Sequence, residues 1–105
     1  MIVTIVTFAL PQPSTLAQMT EVFKGTAPKY RSVPGLLRKN YWLSQDGRTA
    51  GGIYVWRSRA DAEAMYDDAW RAFVTGKYGT PPDVRWLDSP VMVDNGAGTI
   101  VVDPA

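Results

Sequence analysis

Apolar residues alternate with polar ones, or recur at helical spacing, in six blocks separated by Pro, Gly and Asp. Ile2–Leu10 is rich in β-branched residues and stops at Pro11, which predicts a first strand of about eight residues. Its two faces, Ile2/Thr4/Val6/Phe8 and Val3/Ile5/Thr7/Ala9, are both uncharged, so both sides of the strand are expected to be covered. A helix follows, with Ser14 as its expected N-cap and Leu16, Met19, Phe23, Ala27 and Tyr30 on one stripe. Gly25 and Pro28 predict a kink near Thr26, where Thr26 is expected to cap a short second segment.

Leu36–Gln45 and Arg48–Arg57 flank Asp46-Gly47, a dipeptide favoured in type I′ hairpin turns. A two-residue turn pairs Gln45 with Arg48, so Trp42 faces Gly51, Tyr41 faces Gly52, Asn40 faces Ile53, Lys39 faces Tyr54 and Leu37 faces Trp56. Arg38, Asn40, Trp42, Ile53 and Val55 then share one face. Lys39, Tyr41, Leu43, Tyr54 and Trp56 share the other, together with Leu37. Ser58 and Asp61 form a capping-box pattern at the start of a second helix, with Ala62, Met65, Tyr66, Ala69 and Phe73 inward and Asp67 and Asp68 mostly outward. Gly76 and Gly79 end that helix. Asp83–Asp94 reads as a fourth strand bent at Pro90, Gly96–Gly98 as a turn, and Thr99–Asp103 as a short terminal strand.

The order β-α-β-β-α-β is that of a ferredoxin-like α+β domain with an antiparallel sheet, taking in residues 1–105 as a single domain. Two helices cover one face of such a sheet. The other face would keep large apolar groups exposed, which predicts a homodimer packed sheet to sheet about a two-fold axis.

Composition narrows the chemistry more than it names it. The 105 residues are 46% hydrophobic and 20% charged, with a net charge of +1, so no charge pattern argues for nucleic acid or an anionic membrane surface. The absence of Cys and His removes disulfides, thiolate nucleophiles, cysteine-ligated metal centres and the usual histidine general base. No metal site is expected, because Asp67, Asp68, Asp83 and Asp88 show no ligand spacing. The apolar opening segment is too short to span a bilayer and lacks a basic leader, so the default location is cytoplasmic.

Asn40, Trp42, Tyr54, Trp56, Tyr66 and Trp70 could line a pocket for a flat aromatic molecule, with Gly51-Gly52 leaving space beside the rings. Core filling explains each aromatic equally well. Lys39, beside Tyr54 on a face expected to be covered, should be desolvated or paired. The strand pattern leaves open which face lines the pocket. If Lys39, Tyr54 and Trp56 meet a partner subunit instead, the site moves to Asn40 and Trp42.

Pro34-Gly35-Leu36-Leu37, Lys39, Tyr41, Ala50-Gly51-Gly52-Ile53-Tyr54 and the start of the second helix resemble the YdhR-type monooxygenase family, a branch of the dimeric α+β barrel superfamily that includes the antibiotic-biosynthesis monooxygenases. Trp56 followed by Ser58 is similar to a helix entry common in that superfamily. The resemblance implies a ferredoxin-like protomer, a two-fold dimer and a pocket between sheet and helices. It also implies oxygenation of a small aromatic or quinol-like substrate with no cofactor. In that setting Lys39 would stabilise an anion, Tyr54 would donate or relay a proton, and Tyr41 and Trp56 would stack on substrate, with Tyr66, Asn40 and Trp42 as further binding positions. The haem-degrading relatives use a helix histidine, which this chain lacks. A non-redox isomerase or cyclase of the same fold and a small-molecule-binding protein are the rival readings.

Overall fold

The computed structural model describes residues 1–103. Four strands, β1 (Ile2–Ala9), β2 (Leu36–Leu43), β3 (Thr49–Trp56) and β4 (Asp83–Asp88), form one antiparallel sheet in the order β2-β3-β1-β4. Three helices, α1 (Leu16–Thr26), α2 (Arg59–Met65) and α3 (Asp68–Tyr78), complete a ferredoxin-like α+β protomer. Among the described residues no helix is long and apolar enough to cross a membrane.

Register decides which side chains meet. Thr4, Val6 and Phe8 of β1 pair with Tyr54, Gly52 and Ala50 of β3, and this face is buried beneath the helices. Val3 and Ile5 pair with Val55 and Ile53 on the opposite face, where Ile53 and Leu87 stay exposed. The expectation that both faces of β1 are covered therefore holds on one side only within the protomer.

The hairpin register is the one the sequence predicts from Arg38 to Leu43, but by a different turn. Asp46 does not have positive φ; Gly47 alone does, at +70°, and its N–H donates to the Ser44 carbonyl at 2.9 Å. The Asp46 carboxylate accepts from Ser44 Oγ at 2.7 Å and from the Arg48 N–H at 3.1 Å, holding Asp46 out of the left-handed region that a type I′ turn needs. The chain reverses about the same point, so pairing is unchanged. At the far end a bulge at Leu37 makes Leu36, not Leu37, the partner of Trp56.

Caps also differ from expectation. Thr15, not Ser14, caps α1, because Gln18 stands three residues on and completes a reciprocal box: Gln18 N–H to Thr15 Oγ1 at 3.2 Å and Thr15 N–H to Gln18 Oε1 at 2.9 Å. The Ser14 N–H instead donates to the Gly47 carbonyl and ties the hairpin turn to the loop before α1. A 3-10 turn over Ala27–Tyr30 follows α1, as Pro28 requires, but Thr26 does not cap it with its side chain. The single second helix of the sequence reading is two. The chain leaves the helix at Tyr66 and restarts at Asp67, which is exposed as expected and whose carboxylate caps the new helix by accepting from the Trp70 N–H at 2.8 Å.

The fourth strand stops at Ser89-Pro90, where the missing N–H ends the ladder. Beyond it, β5 (Val91–Asp94) and β6 (Thr99–Val102) pair as a separate ribbon. The terminal strand ends one residue before Asp103, and the predicted domain's last two residues lie outside the described part of the chain.

Candidate functional site: an amine among tyrosines

The helix-covered face of the sheet carries a small cavity. Lys39, Tyr41 and Tyr54 project into it from β2 and β3; Tyr30 closes it from the 3-10 turn, and Trp70 and Phe73 from α3. Lys39 sits on the edge strand, opposite Tyr54, and its stem crosses Gly52. A Cβ on Gly52 would stand 2.8 Å from Tyr54 Cε1 and 3.1 Å from Lys39 Cε. The missing side chain at Gly52 is thus what lets ring and lysine share the space. Gly51 answers a different need, because a Cβ there would run into the Val6 carbonyl of the neighbouring strand.

Lys39 Nζ lies 3.3 Å from the centre of the Tyr30 ring, 3.9 Å from that of Tyr41 and 4.6 Å from that of Tyr54. Among the described residues it has no carboxylate partner. Ring faces return about 0.5–2 kcal/mol to an ammonium. Removing an unpaired charge from water costs more than that, and Lys29 adds like charge nearby. Desolvation first, then Lys29, pulls the Lys39 amine down to about 7.

The tyrosines move the other way. Burial raises Tyr54 far above its ordinary range, with Tyr30 and Tyr66 adding to it. Burial also raises Tyr41, against the Thr26 hydroxyl that bonds it at 2.8 Å. Tyr54 therefore remains a neutral phenol that donates a hydrogen bond but does not release its proton. The site pairs one amine pulled down to about 7 with two phenols, Tyr41 and Tyr54, that burial pushes up.

Free space inside is small: about 20 Å³, counted for the centre of a water-sized sphere. That accommodates one water or a dioxygen molecule, not an aromatic ring. Tyr30, Lys39 and Tyr41 also form the inner wall of an outer groove with Ala27, Leu36 and Leu37, which holds about 240 Å³ on the same measure. One lysine and two tyrosines thus separate a dioxygen-sized chamber from a ring-sized groove.

The remaining sequence-predicted positions fall elsewhere. Trp56 is fully buried behind Tyr54, stacked on it with centroids 6.0 Å apart, and its indole N–H donates to Thr4 Oγ1 at 3.0 Å. The Tyr66 hydroxyl shares that Thr4 oxygen at 2.6 Å. Both stand behind the cavity as supports and do not border it. Asn40 and Trp42 lie on the open face, away from Lys39, because neighbouring strand residues point to opposite sides. Tyr30 and Phe73, by contrast, border the cavity. Both already stood on helical stripes, a signal that marks burial and does not distinguish a core position from a cavity wall. Among the described residues no three His, Cys, Asp or Glu side chains converge as a metal site.

The fold defined by this sheet and its helices is that of the antibiotic-biosynthesis monooxygenases. A monooxygenase from Streptomyces coelicolor, product of the gene ActVA-Orf6 and solved in complex with Nanaomycin D, is 23% identical, with a TM-score of 0.65 over 88% of this chain and 89% of that one. SnoaB, a cofactor-independent oxygenase from Streptomyces nogalater, is 16% identical, with a TM-score of 0.60 over 84% of this chain and 91% of that one. An antibiotic biosynthesis monooxygenase is 17% identical, with a TM-score of 0.62 over 85% and 98% of the two chains. No curated protein matches by sequence. The family described as "Putative mono-oxygenase ydhR" matches residues 3–77, and the chain belongs to that family.

Proposed function

We propose that the protein is a cofactor-independent monooxygenase that oxidises a small aromatic or quinol-like substrate with O₂. The observation that carries this reading is Lys39: a primary amine poised near neutrality, walled by aromatic rings, in a chain of a monooxygenase family. The substrate ring lies in the outer groove against Tyr30 and Tyr41. Neutral Lys39 accepts a proton from the activated carbon or phenol of the substrate. The resulting ammonium then holds the substrate anion by charge. Electron transfer from that anion to O₂ and recombination form a C–O bond. One oxygen atom enters the substrate as a carbonyl and the other leaves as water, so the substrate supplies all the electrons. Tyr54 donates a hydrogen bond to the developing oxygen anion, and Tyr41 supplies ring surface. Trp56 and Tyr66, joined through the Thr4 oxygen, pack their rings against Tyr54.

The active unit of this reading is a homodimer with the open sheet face as its interface. Ile53 and Leu87 are exposed there beside half-buried Val3, Ile5 and Val55. Such a surface suits a second copy of itself.

Oxygen uptake by metal-stripped protein with simple quinols and hydroxylated polycyclic substrates tests the reaction. Uptake coupled to product, with kcat/KM rising through about pH 7 as the amine loses its proton, is the expected result. Deuterium exchange into substrate with no oxygen uptake would instead establish the isomerase reading. Saturable tryptophan quenching with no turnover would establish binding alone.

A further inference from the structure

Beyond oxygenation, we infer that Lys39 is a covalent site: its primary amine condenses with the carbonyl of an aromatic aldehyde held in the outer groove, forming an imine. Three observations on the geometry carry this. First, the amine faces Tyr30, Tyr41 and Tyr54, with no carboxylate partner among the described residues to hold it as an ammonium ion. Second, Lys39 belongs to the walls of both the inner chamber and the outer groove, so a ring in the groove brings its substituent to the lysine side chain. Third, the groove has one cationic side. Arg31 borders it beside Lys39, Arg38 touches its rim from the strand edge while belonging to the open face, and no acidic residue among the described ones lines it. This arrangement selects a ring that carries an anionic group as well as the carbonyl.

The other lysines lack this combination. Lys24 pairs with Glu21 at the surface, and Lys29 lies 3.4 Å over the Phe73 ring, outside the inner chamber. Lys77 stands on exposed α3 surface. The lowering of the Lys39 amine to about 7 by burial agrees with the geometry, because it leaves far more of the amine unprotonated at neutral pH than an ordinary lysine has.

The chemistry closes without any added oxidant. Nζ attacks the carbonyl carbon, the C–N bond forms, the carbonyl oxygen takes up two protons and leaves as water, and a C=N bond remains. The inner chamber has room for that water.

Reductive trapping tests the inference independently of oxygenation, because it is done without O₂. The protein is incubated at pH 7 with 4-carboxybenzaldehyde and sodium cyanoborohydride, which delivers hydride to the imine carbon and leaves a stable secondary amine. Peptide mapping by mass spectrometry then follows each lysine over time. Lys39 should be modified at least about tenfold faster than Lys24 and Lys77. That preference should vanish in denaturing urea, and 4-carboxybenzyl alcohol, which has the ring and charge but no carbonyl, should slow Lys39 alone. Lys39→Arg, which keeps the charge and removes the primary amine, should abolish the adduct at position 39 and leave labelling elsewhere unchanged. Labelling of Lys39 no faster than Lys24 and Lys77 in folded protein, or a preference that survives unfolding, would overturn the inference.

Discussion

The two faces of one sheet have taken opposite roles, although the strands that build them are the same. On the helix side, Tyr54 and Trp56 of β3 meet Lys39 and Tyr41 of β2. On the open side, the intervening Ile53 and Val55 meet Asn40 and Arg38, with Val3 and Ile5 alongside. Aromatic groups with hydrogen-bonding ends are confined to the covered face, where Thr4 satisfies both Trp56 and Tyr66. The open face instead mixes the aliphatics Val3, Ile5, Ile53, Val55 and Leu87 with Arg38, Asn40, Thr7 and Arg85, beside Trp42. The contrast teaches that buried hydrogen-bonding aromatics gather where helices exclude water, while the open face keeps its aliphatic groups exposed among polar ones.

The largest test of this division is Lys39→Met. Removing the amine from the covered face should lower oxygen uptake by about 100-fold or more, as for loss of a general base. Unchanged uptake would move the chemistry away from this face. Next are the adjacent glycines. Gly51→Ala should destabilise by about 3 kcal/mol, because the Val6 backbone cannot yield. Gly52→Ala meets the Tyr54 ring and the Lys39 stem and should cost about 1–3 kcal/mol in urea denaturation. Equal and negligible costs would show that neither close approach matters.

A pH series gives the third test. Lys39 has a folded pKa of about 7, below its ordinary value of 10.5. Between those values the unfolded chain binds a proton that the native state does not, so stability rises with pH across that window. Below about 7 both states are protonated, and the native state bears the full burden of an unpaired ammonium. Relative to Lys39→Met, wild type should therefore gain about 1–3 kcal/mol from pH 6.5 to pH 10, discounted for partial exposure. A flat difference would remove the desolvation argument. The smallest effect on the fold is expected from Ile53→Arg on the open face, within about 0.5 kcal/mol for the protomer. The same change should halve the mass in sedimentation. An unaltered mass, or a monomeric wild type, would break the dimer side of the comparison.

Much of this arrangement was legible in the sequence, for reasons that differ by residue. The pairing of Lys39 with Tyr54 and of Tyr41 with Gly52 followed from where the chain reverses, and any turn centred there gives the same partners. The Asp46-Gly47 dipeptide located that point without fixing its conformation, since the Asp46 carboxylate had local donors to bind. Caps were less legible: Ser14 and Thr15 are both good N-caps, and only the reach of Gln18 decided between them. The break at Tyr66-Asp67 was hidden because the apolar stripe continues through it.

Apart from the breaks at Tyr66-Asp67 and Ser89-Pro90, the sequence by itself determined the order of strands and helices, the hairpin register from Arg38 to Leu43, the division of aromatics between two faces and the family motif around Gly51-Gly52. These rest on local periodicity and on turn position, which act over a few residues. Only the tertiary structure decided which face the helices cover, that Tyr30 closes the ring of tyrosines about Lys39, and that Trp56 and Tyr66 stand behind the cavity and not in it. Those outcomes depend on contacts between residues far apart in the chain, such as Thr4 with Tyr66 and Tyr30 with Trp70. An amine's environment is likewise the sum of what surrounds it. Lys39 is an ordinary lysine in the sequence and a desolvated one only in the fold.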